Sequence, residues 1–226
     1  MEKTTETSTG FGKHPSKKLQ EAFKGFQIQK PEDAEMIFLG LDANWDKDIE
    51  KKEPLFFEET INHYLKDGVQ YWIDNGVHTP MLKKDTKQKY IYKGDRRKGG
   101  VPYHTRFSRL GFTSDYAEKI CFLELLSICT YGNSTKPKEN KDKFNTMLKS
   151  EENAEHLKKI KEIFKKKDIY ICISPSVKEI IDELKYELKF EIEAKVIDIP
   201  HFSRHGITND ELEKLGKKLR KFLGKT

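Results

Sequence analysis

Glu35-Met36-Ile37-Phe38-Leu39-Gly40-Leu41-Asp42-Ala43-Asn44-Trp45 is a short apolar run that ends in a glycine and then delivers a carboxylate, an amide and an indole into a turn. A continuous apolar run marks a parallel strand buried on both faces, and ligands of open α/β sheets sit beyond the carboxyl ends of such strands. Asp42 therefore serves either as a turn or helix-capping residue, a role Asp and Asn favour, or as a group facing a ligand. Near the other end of the chain, Ala194-Lys195-Val196-Ile197-Asp198-Ile199-Pro200-His201-Phe202-Ser203-Arg204-His205-Gly206 repeats the pattern, an apolar strand running into a polar turn. Two such strand ends place an acid and an imidazole where they can face one pocket.

Two more apolar runs lie between them, Ile120 to Thr130 and Asp168 to Ser176. Helical periodicity fills the rest. Leu19, Phe23 and Phe26 share one face of a helix over 16–26, and Phe57, Ile61, Tyr64 and Leu65 share one face over 55–68. A further helix over 69–75 stops at Gly76. Pro137 to Ser150 reads as a polar connection. Ser150-Glu151-Glu152 opens a helix whose end carries Lys165, Lys166 and Lys167, as the helix dipole favours. Ser176 to Glu179 and Thr208 to Glu211 have capping-box spacing, the second opening a terminal helix with Leu212, Leu215, Leu219 and Phe222 on one stripe. Strands alternating with helices imply a parallel sheet, here four-stranded, with helices on both faces. Residues 1–15 read as a flexible N-terminal tail and 16–226 as a single domain.

The 226 residues carry a net charge of +6 and a charged fraction of 35%. That balance favours an anionic partner, nucleic acid first, although a modest excess of lysine is also a common solubility solution. No stretch approaches the ~20 apolar residues of a membrane span, and the N-terminus shows no signal-peptide pattern. The three cysteines, Cys121, Cys129 and Cys172, sit apart inside apolar runs. They read as buried thiols in a reducing, cytoplasmic compartment, with no metal site and no cofactor. Nothing resembling a dinucleotide or nucleoside-triphosphate loop follows a strand.

From Met81 to Tyr103 the composition changes: Lys83, Lys84, Lys87, Lys89, Lys93, Arg96, Arg97 and Lys98 are interleaved with Tyr90, Tyr92 and Tyr103. Such a stretch is either a solvated loop or a basic hairpin whose cations meet phosphates while tyrosines stack on bases.

Gly40-Leu41-Asp42-Ala43-Asn44 after its strand resembles the first motif of the uracil-DNA glycosylase superfamily, and Pro200-His201-Phe202-Ser203 resembles its second. The runs at 120–130 and 168–176 are similar to the family's intervening strands, the first of which carries the base-reading residue. The resemblance spans roughly Met36 to Gly206 and implies a three-layer α/β/α sandwich and a monomeric, cofactor-independent DNA glycosylase. Asp42 would position water and stabilise a positively charged sugar, and His201 would hydrogen-bond the departing base. Asn44, Trp45, Glu124 and Asn133 would bind the base, while Lys83, Lys84, Arg96, Arg97, Tyr103, Ser203 and Arg204 would contact DNA, single- or double-stranded. Ala43 and Phe202 replace the family's motif prolines, and Glu124 falls where an asparagine usually reads uracil. An ionised glutamate only accepts hydrogen bonds, so Glu124 implies an amino-bearing or otherwise modified base, with Asn133 as the rival reader. The alternative is a catalytically silent nucleic-acid binder of the same fold.

Overall fold

The structure, a computed structural model, describes residues 10–76, 102–188, 190–202 and 206–224. The strands are β1 (Gly12–Lys13), β2 (Phe26–Ile28), β3 (Met36–Gly40), β4 (Ala43–Asn44), β5 (Ile120–Glu124), β6 (Cys129–Tyr131), β7 (Tyr170–Ile173) and β8 (Lys195–Asp198). The main sheet runs β2-β5-β3-β7-β8. Its last four strands are parallel, and β2 lies antiparallel on the β5 edge. A second, three-stranded sheet has the order β1-β6-β4.

The helices are α1 (Lys17–Ala22), α2 (Ile49–Lys52), α3 (Pro54–Glu59), α4 (Gly68–Asn75), α5 (Pro102–Phe107), α6 (Lys138–Leu148), α7 (Glu151–Phe164), α8 (Pro175–Leu188) and α9 (Asn209–Phe222). Successive residues of a strand point to opposite faces, so β3 feeds two cores. Met36 and Phe38 meet Phe57, Trp72, Phe107 and Leu219 on one face. Ile37 and Leu39 meet Phe144, Ile160, Ile181 and Leu184 on the other. The first core is aromatic: Phe107 contacts Phe38 at 4.9 Å and Phe122 at 4.8 Å between ring centroids, both edge to face. Such pairs add about 0.5–1.5 kcal/mol each beyond their burial.

The chain is thus α/β, with a sheet of five strands rather than the expected four. The additional strand, β2, lies at the end of the helix expected over 16–26. That helix stops at Ala22 because Gly25 takes φ +83°, and a Cβ there would lie 2.3 Å from the His156 ring. The run 120–130, expected as one strand, is two: β5 ends at Glu124, and the chain turns before β6 joins the small sheet. Asn153 secures that turn, accepting from Ser127 N at 2.9 Å and donating to Leu125 O at 3.0 Å. The connection expected over 137–150 contains α6, whose buried positions Asn140, Phe144 and Leu148 form a sparse stripe. Helix α8 begins at Pro175, one residue ahead of the expected cap at Ser176. The capping box of Thr208 and Glu211 is present.

Helix α9 is fastened to the 108–110 turn. A Cβ on Gly216 would lie 2.0 Å from Leu110 O, and Arg220 Nη1 donates to the same carbonyl. Alanine normally gains up to about 1 kcal/mol over glycine inside a helix. Against backbone the added methyl forces α9 away, and overpacking of this kind costs about 1–3 kcal/mol. Gly216→Ala is expected to lower the urea midpoint of unfolding; a raised midpoint would refute the close approach.

Candidate active site

The site forms at the carboxyl ends of β3 and β5, where Gly40 and Glu124 are partners in register. Glycine leaves room there for the Glu124 carboxyl, because a Cβ would lie 2.0 Å from Glu124 Oε2 and 2.7 Å from its Cδ and would displace that side chain. The Glu124 backbone is held on both sides, its N–H donating to Gly25 O at 2.9 Å and its carbonyl accepting from His156 Nε2 at 2.8 Å. Burial lowers the pKa of His156, so its neutral form supplies this donor from Nε2. The side chain ends differently: Oε2 is buried with no hydrogen-bond partner. Burial first, and then the charge of Asp42, push the Glu124 carboxyl well above the usual range.

Beyond β3 the chain bends into β4, which pairs in parallel with β6 and brings Thr130 beside Asp42. The Asp42 carboxylate accepts hydrogen bonds from the Thr130 hydroxyl and, at 2.7 Å, from Ser134 Oγ. Burial raises its pKa, and the donors Thr130, Ser134 and Asn44 offset part of that shift. Asn44 is itself tied to the loop after β6, its Nδ2 donating to Gly132 O. Asn44 therefore steadies the acid.

His201 follows β8. The residue as a whole is exposed, yet burial of part of its ring, and then the charge of Arg106, lower its pKa and favour the neutral imidazole. Tyr103 packs edge to face on it at 6.1 Å. Arg106 donates to Phe202 O at 2.5 Å, fastening the turn to α5. Beside Tyr103, His104 is buried and its pKa falls to about 3, so it too is neutral.

These groups surround one cavity of about 910 Å³, lined by Asp42, Asn44, Trp45, Tyr103, Glu124, Asn133 and His201 among others. Seven of the residues expected to form the site are thus brought together. Two of them are constrained in what they offer. Asn133 Oδ1 accepts from Thr135 N, Thr135 Oγ1 and Lys136 N at 2.9, 2.9 and 3.0 Å, so its oxygen belongs to its own turn. Trp45 is only 7% exposed and packs into the first core, which makes it a wall. Lys83, Lys84, Arg96, Arg97, Ser203 and Arg204 lie outside the described residues. The cavity also has residues the sequence reading missed: Gln27, His104, Ser134, and Thr130 behind Asp42. The hydroxyl-rich run Asn133-Ser134-Thr135 was a usable signal for Ser134; nothing local marked Gln27.

Among the described residues, no group of three or more His, Cys, Asp or Glu is placed to hold a metal ion, and no helix is long and apolar enough to cross a membrane. No protein-family model, curated protein or solved structure matches this chain.

The raised Glu124 pKa has a definite sign in stability. Below the ordinary carboxyl range both folded and unfolded chains hold the proton, and glutamate equals glutamine. As pH rises, the unfolded chain ionises first, so stability falls by up to about 1.4 kcal/mol per pH unit until the folded pKa is reached. Glutamine does not titrate. The melting temperature of Glu124→Gln should therefore match the native value below the ordinary carboxyl range and exceed it by a margin that widens as pH rises from there towards the folded pKa. A margin independent of pH would show that Glu124 is not held protonated.

Proposed function

We propose that this chain is a cofactor-independent DNA glycosylase with the three-layer architecture of the uracil-DNA glycosylase superfamily, acting as a monomer on a flipped, altered base. The observation that carries the reading is the convergence on one cavity of Asp42, Glu124 and His201, from the ends of three parallel strands. In the reaction a water oxygen bonds to C1′ of the sugar while the bond from C1′ to the base nitrogen breaks, its electron pair leaving with the base. Positive charge grows on the sugar and negative charge on the base. Asp42 accepts the water proton and stabilises the sugar, as carboxylates do in glycoside hydrolysis. His201, neutral, donates a hydrogen bond to the departing base without needing a charge. Glu124, on the inner wall, reads the base edge. Extruding the base costs a few kcal/mol, which Tyr103 and the aromatic wall help to offset.

The test is incubation with oligonucleotides carrying uracil, hypoxanthine, cytosine or modified cytosines, followed by alkaline cleavage at abasic sites. Asp42→Asn is expected to lower the single-turnover rate by about 10²–10⁴-fold, and His201→Ala by about 10²–10³-fold. DNA binding without release of any base would instead favour the silent binder, a reading to which the capture of both Asp42 oxygens by hydroxyls lends some support.

A further inference from the structure

Gln27 reaches the cavity from β2, where it pairs with Phe122 on β5. Directly opposed residues of an antiparallel pair share a face, and so do residues two apart on one strand. Gln27, Phe122 and Glu124 therefore stand on the same side of the sheet. Gln27 and Glu124 are diagonal neighbours, a relation that spans roughly 7–8 Å, and Phe122, directly opposite Gln27, is buried on the same face.

Both polar groups are committed in a particular sense. The Gln27 oxygen accepts the Tyr64 hydroxyl at 2.7 Å, which leaves the Nε2 hydrogens for the cavity. Gln27 as a whole is 7% exposed. Glu124 Oε2 is fully buried and unpartnered. Both residues line the one cavity, so their polar ends leave hydrogen bonds there for a ligand to complete.

We propose that Gln27 and Glu124 form the recognition edge for a 4-amino-2-oxopyrimidine, cytosine or a 5-substituted cytosine, with Gln27 setting this base apart from an aminopurine. The inference rests on the reading of the cavity as a nucleobase site. Along its pairing edge cytosine presents an amino donor, a ring-nitrogen acceptor and a carbonyl acceptor. The carboxyl of Glu124 accepts from the amino group and its hydroxyl donates to the ring nitrogen; Gln27 Nε2 donates to the 2-oxo group. Uracil asks the carboxyl to donate to a carbonyl, a weaker acceptor, and meets an anion at that carbonyl once the proton is lost. Adenine matches Glu124 but offers a C–H opposite Gln27. The amide is then left without its partner, the situation in which sites discriminate most strongly.

Calorimetric titration of the full chain with 1-methylcytosine, 1-methyluracil and 9-methyladenine tests this directly. The native protein should prefer 1-methylcytosine over 9-methyladenine by about tenfold or more, the worth of one good hydrogen bond, and should bind 1-methyluracil more weakly than 1-methylcytosine. Gln27→Met, which keeps the volume, should remove the preference over 9-methyladenine while keeping that over 1-methyluracil. Glu124→Gln, whose amide serves either edge, should remove the preference over 1-methyluracil. Equal binding of the three probes, binding of none, or a preference over 9-methyladenine that survives in Gln27→Met would overturn the inference. Release of bases from DNA without cytosine preference would also overturn it and leave the glycosylase reading intact. Cytosine-selective binding with no release from any DNA would do the reverse.

Discussion

The pairing of Gly40 with Glu124 across the two central strands is the constraint on which the site depends. A parallel register delivers both strand ends to the same edge, and the absent side chain of Gly40 is filled by the Glu124 carboxylate. Any other residue at position 40 would put its Cβ inside that carboxylate. The next residues of β3's chain then bend towards the small sheet, so that Asp42 and Glu124 share a cavity while being held by different sheets. Packing underneath keeps the register: the aromatic cluster around Phe38, Phe107 and Phe122 lies directly below the strand ends.

That arrangement opposes stability. An unsatisfied buried polar atom costs about 1–3 kcal/mol, and Glu124 Oε2 is one. Local rules are broken in this way mainly where a ligand completes them. The surroundings accept the cost without relieving it: His156 and Gly25 satisfy the Glu124 backbone, while the neighbouring histidine, His104, is neutral and offers no counter-charge. Around Glu124 and His104 the wall is therefore polar and disfavours charge.

What could be read from the chain divides along physical lines. Strands β3, β5 and β7 were legible because burial on both faces leaves continuous apolar runs, β8 was legible from its short apolar run although most of it is exposed, and the start of α9 was legible because a capping box is a local device. Strand β2 was hidden by a coincidence of spacing. Leu19, Phe23 and Phe26 keep helical period, but Gly25 with its positive φ separates helix from strand, and its close approach to His156 is a contact over 131 positions. Missing β2 meant missing Gln27. Helix α6 was hidden because few apolar residues mark its buried side. At the site, Asp42 and His201 were legible as strand-end residues, whereas the hydroxyls that hold Asp42 stand 88 and 92 positions away. No local pattern announces such partners.

The two sheets also assign the two acids different tasks. Asp42 faces Thr130 and Ser134, and the strand bearing Thr130 is itself held firmly: Gln20 donates to Cys129 O at 2.8 Å and accepts from Cys129 N at 3.1 Å. Those hydroxyls favour the anion of Asp42. Glu124 has no side-chain donor, and the charge of Asp42 further disfavours its ionisation. Two like charges facing one cavity do not both form cheaply, so the pair loses its protons in two steps. The acid with the hydroxyl donors ionises first, and its charge then holds the proton on the other. The hydrogen bonds thus favour the charge on Asp42, towards the second sheet, and the proton on Glu124, on the wall of the first.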